Sequence, residues 1–294
     1  MKTEFNVDAH FVIGKMHREQ NKPCQDHTLA QMYNGVGLLA VSDGCSSGGH
    51  TDIGSRILTC ATMMTLCEYV DFGVSHTLTA HTALVINNKI KKFANNSRSL
   101  LGLQVRDMYA TCLYAIVTPQ GGLVQMFGDG HIMLQYRDGS IVSYSTHWNN
   151  NEPFYPVYET EGLDHFIADH IAIDKGLSSC VLQVTKLSPD GTISSTKTAK
   201  TLQEGIEGTL IFISQEDIEN NLLCLAIASD GLDSFYSSEK INASIIIPDV
   251  MAFKSWKGDF VKRRLSRFLT DSAKQNIFPE DDLSYAVLHI NTIT

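Results

Sequence analysis

The sequence lacks most of the features that mark a specialised compartment or partner. No C-x-x-C occurs among its seven cysteines, an odd number scattered over 294 residues, which excludes a zinc ribbon and a dithiol redox pair. Buried, reduced thiols are expected instead, with Cys60 and Cys67, seven apart in a helical pattern, facing one core. The N-terminal stretch MKTEFNVDAH has no apolar h-region, and no apolar run approaches the length of a bilayer. A cytoplasmic chain without a membrane partner is the expectation. Basic charge is scarce: 23 Lys and Arg stand against 32 Asp and Glu, a net charge of −9. The only compact basic run is Lys262–Arg264, in a helical pattern that reads as a solvated face, so nucleic acid is not an expected partner. Fixed-period repeats, low-complexity tracts and linkers are absent too.

What is present is a core and a recurring punctuation. Apolar residues make up 43% of the chain, enough for a sizeable interior without staples. Three apolar runs each end in Asp-Gly: VGLLAVSDG at Asp43, LVQMFGDG at Asp129 and LLCLAIASDG at Asp230. Around them, AHFVIGKMH and VGLLAVSDG read as strands, and the segment from Thr51 to Val70 has apolar residues at helical spacing. A second helix is expected over about 76–95. The segment Tyr109–Ser145 reads as a meander of hairpins turning at PQGG, GDG and RDGS. The stretch 146–165, with two prolines, three asparagines and four aromatics, reads as a long ordered loop. A hairpin at Ser188–Gly191, strands GTLIFIS and LLCLAIASDG, a basic amphipathic helix over about 258–275 and a last strand Leu283–Ile290 complete the pattern. One domain of stacked antiparallel sheets with helices outside follows.

Strand ends are where a scaffold can hold carboxylates at fixed spacing, and Asp26, Asp43, Asp129, Asp230, Asp281 and Asp282 all sit at strand ends or turns. Several carboxylates cannot converge unpaired, because repulsion raises their pKa values; a divalent cation removes the conflict. All-oxygen ligands suit Mg²⁺ or Mn²⁺, and Gly44, lacking a side chain, lets its carbonyl approach an ion. Two such ions would activate water for in-line attack on a phosphoryl group.

The pieces GKMHREQNKPCQDHTLA, LLAVSDGCSSGGHTDIGS, MFGDGHIML, LAIASDGLDSF and EDDLSYAVLHI, in this order from about residue 10 to 290, resemble the type 2C metal-dependent Ser/Thr protein phosphatases, in a bacterial style. The resemblance implies an α+β fold, a four-layer α-β-β-α sandwich of two antiparallel β-sheets flanked by pairs of helices, as a single domain over 1–294. It implies hydrolysis of phosphoserine and phosphothreonine in proteins by a metal-bridging water or hydroxide, without a phosphoenzyme, using two or three Mn²⁺ or Mg²⁺ ions. Asp43 would bridge two metals, the Gly44 carbonyl would bind one, and Asp230 and Asp281 would hold the first. Asp26 would reach the second through water, and Asp129 would belong to a third site. Asp282 would stand beside the ligands. A separate Ser/Thr kinase and a phosphoprotein substrate are the implied partners.

Departures from the family pattern are local. Gln25 replaces a common Glu next to Asp26 and brings no charge. Cys45 stands where animal-type members often carry a His proposed as general acid. His17 and Arg18 are the candidates for binding the substrate phosphate, with His17 preferred; a polar strand-end residue and a solvent-facing turn residue are their structural alternatives. His50 and His131 read as neighbours of the metal motifs rather than ligands, and Asp52 as the cap of the helix that begins nearby. The loop 146–165 falls where bacterial relatives carry a flap beside the active site, and is expected either to select substrate or to pack on itself. Against the enzyme stand two alternatives: a pseudophosphatase acting as a phosphoprotein-binding or regulatory module, and a small-molecule phosphohydrolase on the same fold.

Overall fold

The computed structural model describes residues 2–73, 78–174 and 178–293. In chain order, the first half comprises β1 (Lys2–Val12), α1 (Lys15–Glu19), β2 (His27–Tyr33), β3 (Val36–Ser42), α2 (Thr51–Asp71) and α3 (Ala80–Leu100). There follow β4 (Cys112–Thr118), β5 (Gly121–Phe127), β6 (Gly130–Tyr136), β7 (Ile141–Trp148) and α4 (Leu163–Asp174). The rest is β8 (Cys180–Leu187), β9 (Ile193–Lys200), α5 (Leu202–Glu207), β10 (Thr209–Ile213), β11 (Leu222–Ala228), β12 (Phe235–Tyr236), α6 (Ala243–Val250), α7 (Phe260–Ala273), β13 (Phe278–Pro279) and β14 (Leu283–Ile293).

Two antiparallel sheets carry the architecture. One has seven strands in the order β1-β14-β11-β6-β7-β8-β9, the other five in the order β10-β5-β4-β3-β2. Period-2 alternation sorts their side chains into three apolar layers. Leu39 and Val41 of β3 point into the layer between the sheets, where they meet Leu225 and Ile227 of β11 and Leu288 of β14. Leu38 and Ala40 point the other way, onto Leu58 and Leu66 of α2 and Ile86 of α3. Ala226, Tyr285 and Val287 of the larger sheet face Ile247 of α6 and Leu265 and Phe268 of α7. The central strands are therefore buried on both faces, which is why they read as continuous apolar runs rather than as alternation. The four-layer sandwich is present as the sequence implies.

Several local expectations are revised. The first strand begins at Lys2 and stops at Val12, so His17 lies in the short helix α1 rather than at a strand end. β2 was not anticipated, although Asn34-Gly35, at φ +48° and +80°, is the turn that closes its hairpin with β3. The second helix starts at Ala80 behind a Thr79–Thr82 capping box; residues 76 and 77 of its expected start lie outside the described residues. The segment 146–165 is not one loop: β7 extends to Trp148, two 3₁₀ turns follow at Asn149–Asn151 and Pro156–Glu159, and α4 begins at Leu163. Phe154, Tyr155 and Phe166 are buried there, with Phe166 packed between Trp148 and Phe154. α6 went unread because Pro248 interrupts its helical pattern. Of Cys60 and Cys67, expected to face one core, only Cys67 does so: it is half-buried against the core under α2, while Cys60 is exposed. Asp52 does not cap α2; the N-cap is His50, whose backbone N–H donates to Asp107 Oδ1 at 2.8 Å.

Candidate active site

The sheet registers explain why distant aspartates meet. Val41 of β3 pairs with Leu113 of β4, and Cys112 with Phe127 of β5, so the end of β3 and the β5–β6 turn share one edge. In the other sheet Ala228 of β11 pairs with both His131 of β6 and Tyr285 of β14, which puts the residues after β11 and before β14 at the matching edge. Asp43, Asp129, Asp230 and Asp281 thereby line one cavity of about 240 Å³, together with Gly44, Cys45, Ser46, Ser47, Thr111, Asn151, Pro153 and Tyr155.

Each carboxylate is fixed by its own backbone. The Asp43 N–H donates to Thr111 Oγ1 at 3.0 Å, and the Thr111 N–H returns a bond to the Asp43 carbonyl at 2.9 Å. Asp129 sits between Gly128 and Gly130, whose φ values of +88° and +129° only glycine adopts freely. Asp230 opens the 3₁₀ turn Asp230–Asp233, and a Cβ on Gly231 would stand 2.0 Å from the Asp282 carbonyl oxygen. That contact presses the Asp230 turn onto the Asp281–Asp282 segment that leads into β14. Gly231→Ala is expected to cost about 3 kcal/mol by overpacking and to lower activity with it; an unchanged midpoint in urea unfolding would disprove the contact.

The electrostatics are those of a site awaiting positive charge. Asp26 is fully buried behind the cavity, neither of its carboxylate oxygens has a hydrogen-bond partner, and burial lifts its pKa to about 7. Burial, then the charges of Asp26 and Asp230, pushes Asp43 well above the usual carboxylate range. Burial and the neighbouring Asp230 do the same to Asp129 and, to a smaller degree, to Asp281. No Lys or Arg pairs with any of the five among the described residues. Unpaired, hard oxygen donors in this number fit a divalent cation such as Mg²⁺ or Mn²⁺.

Asp282 does a different job. Its oxygens accept the backbone N–H of Gly14 at 2.7 Å and of Gln25 at 2.6 Å, and Oδ2 lies 2.9 Å from His17 Nδ1. His17 Nε2 is 3.0 Å from Ser46 Oγ, which donates to Gln25 Oε1 at 2.8 Å; Gln25 Nε2 donates to Thr51 Oγ1 at 2.9 Å. His17, Asp281 and Asp282 bring their ligand atoms within 4.8 Å of one another, but the partners just named already occupy His17 and Asp282. Neither candidate for the phosphate lines the carboxylate cavity: His17 is buried, and Arg18 donates to the Ile13 carbonyl at 3.1 Å. His50 is exposed and lies off the cavity. His131 is buried, with Nε2 2.9 Å from Asp233, three residues beyond Asp230.

Sequence reading missed Thr111 on the cavity wall, and named none of Asn151, Pro153 and Tyr155 singly, although the loop that holds them was expected beside the active site. Thr111 follows the apolar-run logic without a charge to mark it. The aromatic segment around Tyr155 was expected near the site, but nothing local placed Tyr155 on the same wall as Cys45.

A sandwich of two antiparallel sheets with a cluster of carboxylates at one edge defines the general class. The sequence profile of protein phosphatase 2C matches residues 13–270, and the chain belongs to that family. No curated protein matches it significantly. Among solved structures, a bacterial serine phosphatase aligns over 98% of both chains with a TM-score of 0.55 at 13% identity. The Ser/Thr phosphatase Stp1 of Staphylococcus aureus aligns over 97% of this chain and 94% of its own, with a TM-score of 0.52 at 13% identity. The Ser/Thr phosphatase of S. agalactiae covers 97% and 99%, with a TM-score of 0.52 at 17% identity. These likenesses are of fold. No described helix is long and apolar enough to cross a membrane.

Proposed function

We propose that the protein hydrolyses phosphoserine and phosphothreonine in proteins, using Mn²⁺ or Mg²⁺. The observation that carries this is the convergence of Asp43, Asp129, Asp230 and Asp281 on one open cavity above a buried, unpartnered Asp26. A phosphate dianion could not enter such a carboxylate cluster without cations. Asp43, Asp230 and Asp281 would hold one ion, Asp43, Gly44 and Asp26 a second, and Asp129 a third. When bound, the ions neutralise the phosphate and lower the pKa of the attacking water, so no phosphoenzyme is required.

The chain's own residues supply order. Thr111 holds the Asp43 backbone, and the Asp282–His17–Ser46–Gln25 chain ties the start of the last strand to the loop after Asp43. His17 acts there as a positioning residue. His17→Ala is expected to weaken Mn²⁺ binding roughly tenfold, the low end for outer groups, because its partner Asp282 adjoins Asp281. Calorimetric titration of Mn²⁺ checks it, and unchanged affinity would remove His17 from the site. A Ser/Thr kinase is the natural source of such a substrate.

The reading is tested by hydrolysis of an aryl phosphate and a phosphothreonine peptide with Mn²⁺, with Mg²⁺ and with chelator. Turnover that needs metal supports it. Metal binding without turnover would make the protein a phosphoprotein-binding module, and turnover of small phosphate esters alone would make it a small-molecule phosphohydrolase.

A further inference from the structure

The carboxylate cavity does not end at its rim. Cys45, Ser47, Asn151, Pro153 and Tyr155 also line a second cavity of about 300 Å³, which runs on beneath the segment that follows β7. Its wall is aromatic and acidic. Tyr109 lies 5.8 Å from Tyr155 and 5.2 Å from Tyr158, ring centre to ring centre, and Tyr158 stacks on Phe166 at 4.9 Å. Glu152 and Asp169 add two carboxylates, Asp169 with the exposed His165 Nδ1 3.1 Å away, and no Lys or Arg lines the groove. The wider segment is acidic too: from Asn149 to Asp174 the chain carries six Asp and Glu and neither Lys nor Arg, although Glu159 and Glu161 are paired with Lys91 and Arg98 of α3.

The groove is built. His170, 3% exposed, stands 3.0 Å from the Phe166 carbonyl and 3.2 Å from the Glu152 carbonyl through its two ring nitrogens, pinning Glu152 to α4. Phe154 is fully buried behind it. Deleting Asn149–Pro156 would therefore open the core, so single side chains are the proper probes.

We propose that this groove receives a Lys or Arg side chain that flanks the phosphorylated residue of the substrate. The inference rests on the phosphatase reading above. Aromatic faces and carboxylates together recognise a cation, and they repel a substrate with acidic neighbours. Because the two cavities share a wall, the phosphoryl group and the cationic side chain can be held by one short peptide.

The test uses the full chain with Mn²⁺ and phosphothreonine peptides carrying Lys, Arg, Ala or Glu at each of the three positions on either side. For each variant, kcat/KM on a peptide is divided by its own kcat/KM on an aryl phosphate, which has no flanking residue. The parent is expected to favour Lys or Arg over Glu roughly tenfold at one position or more, the scale of one cation–π contact with a half-screened charge. That ratio should shrink with added salt. Glu152→Gln, Asp169→Asn and Tyr158→Leu should each bring it toward one. A flat parent profile with intact aryl phosphate turnover overturns the groove and leaves the phosphatase standing. If neither substrate class turns over, the phosphatase reading fails, and fluorescence anisotropy of the same labelled peptides decides the groove: tighter binding of the Lys peptides supports it, and equal affinity for Lys and Glu peptides overturns it.

Discussion

Asp43→Asn is expected to lower Mn²⁺-dependent kcat/KM on a phosphothreonine peptide about 10³-fold, the scale of losing one preorganised charge at the reacting group. The same substitution should make the metal-free protein more stable. Asp43 is packed among Asp26, Asp230 and Asp281, and burial together with those charges resists its ionisation. An amide of nearly equal shape removes the repulsion while the Thr111 bonds to the Asp43 backbone remain. A rise of a few degrees in Tm in chelator, beside lost turnover, is the signature of a site that sacrifices stability for function. Retention of more than a tenth of the parent's turnover would take Asp43 out of the centre. Loss of turnover with a lowered Tm would mean a folding defect instead.

Thermal stabilisation by Mn²⁺ is expected to grow steeply from pH 5 to pH 7.5. Asp26 has a folded pKa of about 7 against an unfolded value near 3.8, so between those limits the native state binds more protons than the unfolded chain. Its contribution to stability is favourable at low pH and is lost as pH rises through about 7. Asp43, Asp129 and Asp281 shift in the same direction. Four histidines run the other way: burial lowers the pKa of His10 and His147, and those of His27 and His289 to about 4, so they add stability as pH rises toward 6.5. Those histidines cancel in the difference between Mn²⁺-loaded and chelated protein, while the carboxylates do not. The measurement is that difference in Tm at pH 5, 6, 7 and 7.5. A stabilisation independent of pH would show that the ions do not sit on these carboxylates.

The aspartates were legible because their signal is local. A strand buried on both faces must read as an apolar run, and a chain that turns sharply at its end to present a carboxylate needs glycine, as at Gly128 and Gly130. The helix starting at Thr51 was equally plain, since its apolar positions recur at helical spacing. Asp282 was expected beside the ligands, but not what its oxygens bind. In sequence it looks like a twin of Asp281, yet its oxygens are taken by Gly14 and Gln25, 268 and 257 residues away. His17 looked like a phosphate ligand for the same reason: nothing near it in the chain reveals that Asp282 and Ser46 occupy its ring. The segment after β7 read as irregular because two short 3₁₀ turns have no period, and its burial comes from Trp148 and from Phe166 and His170 of α4.

By itself, then, the sequence determined the sandwich, the family and the aspartates at the strand ends, since burial patterns and glycine turns act within a few residues. Only the tertiary structure decided which of those carboxylates stay unpartnered, what ties His17 in place, and that an acidic, aromatic groove opens from the site. Each of these depends on which distant side chains reach a polar atom first, and strand register and sheet packing settle that across hundreds of residues.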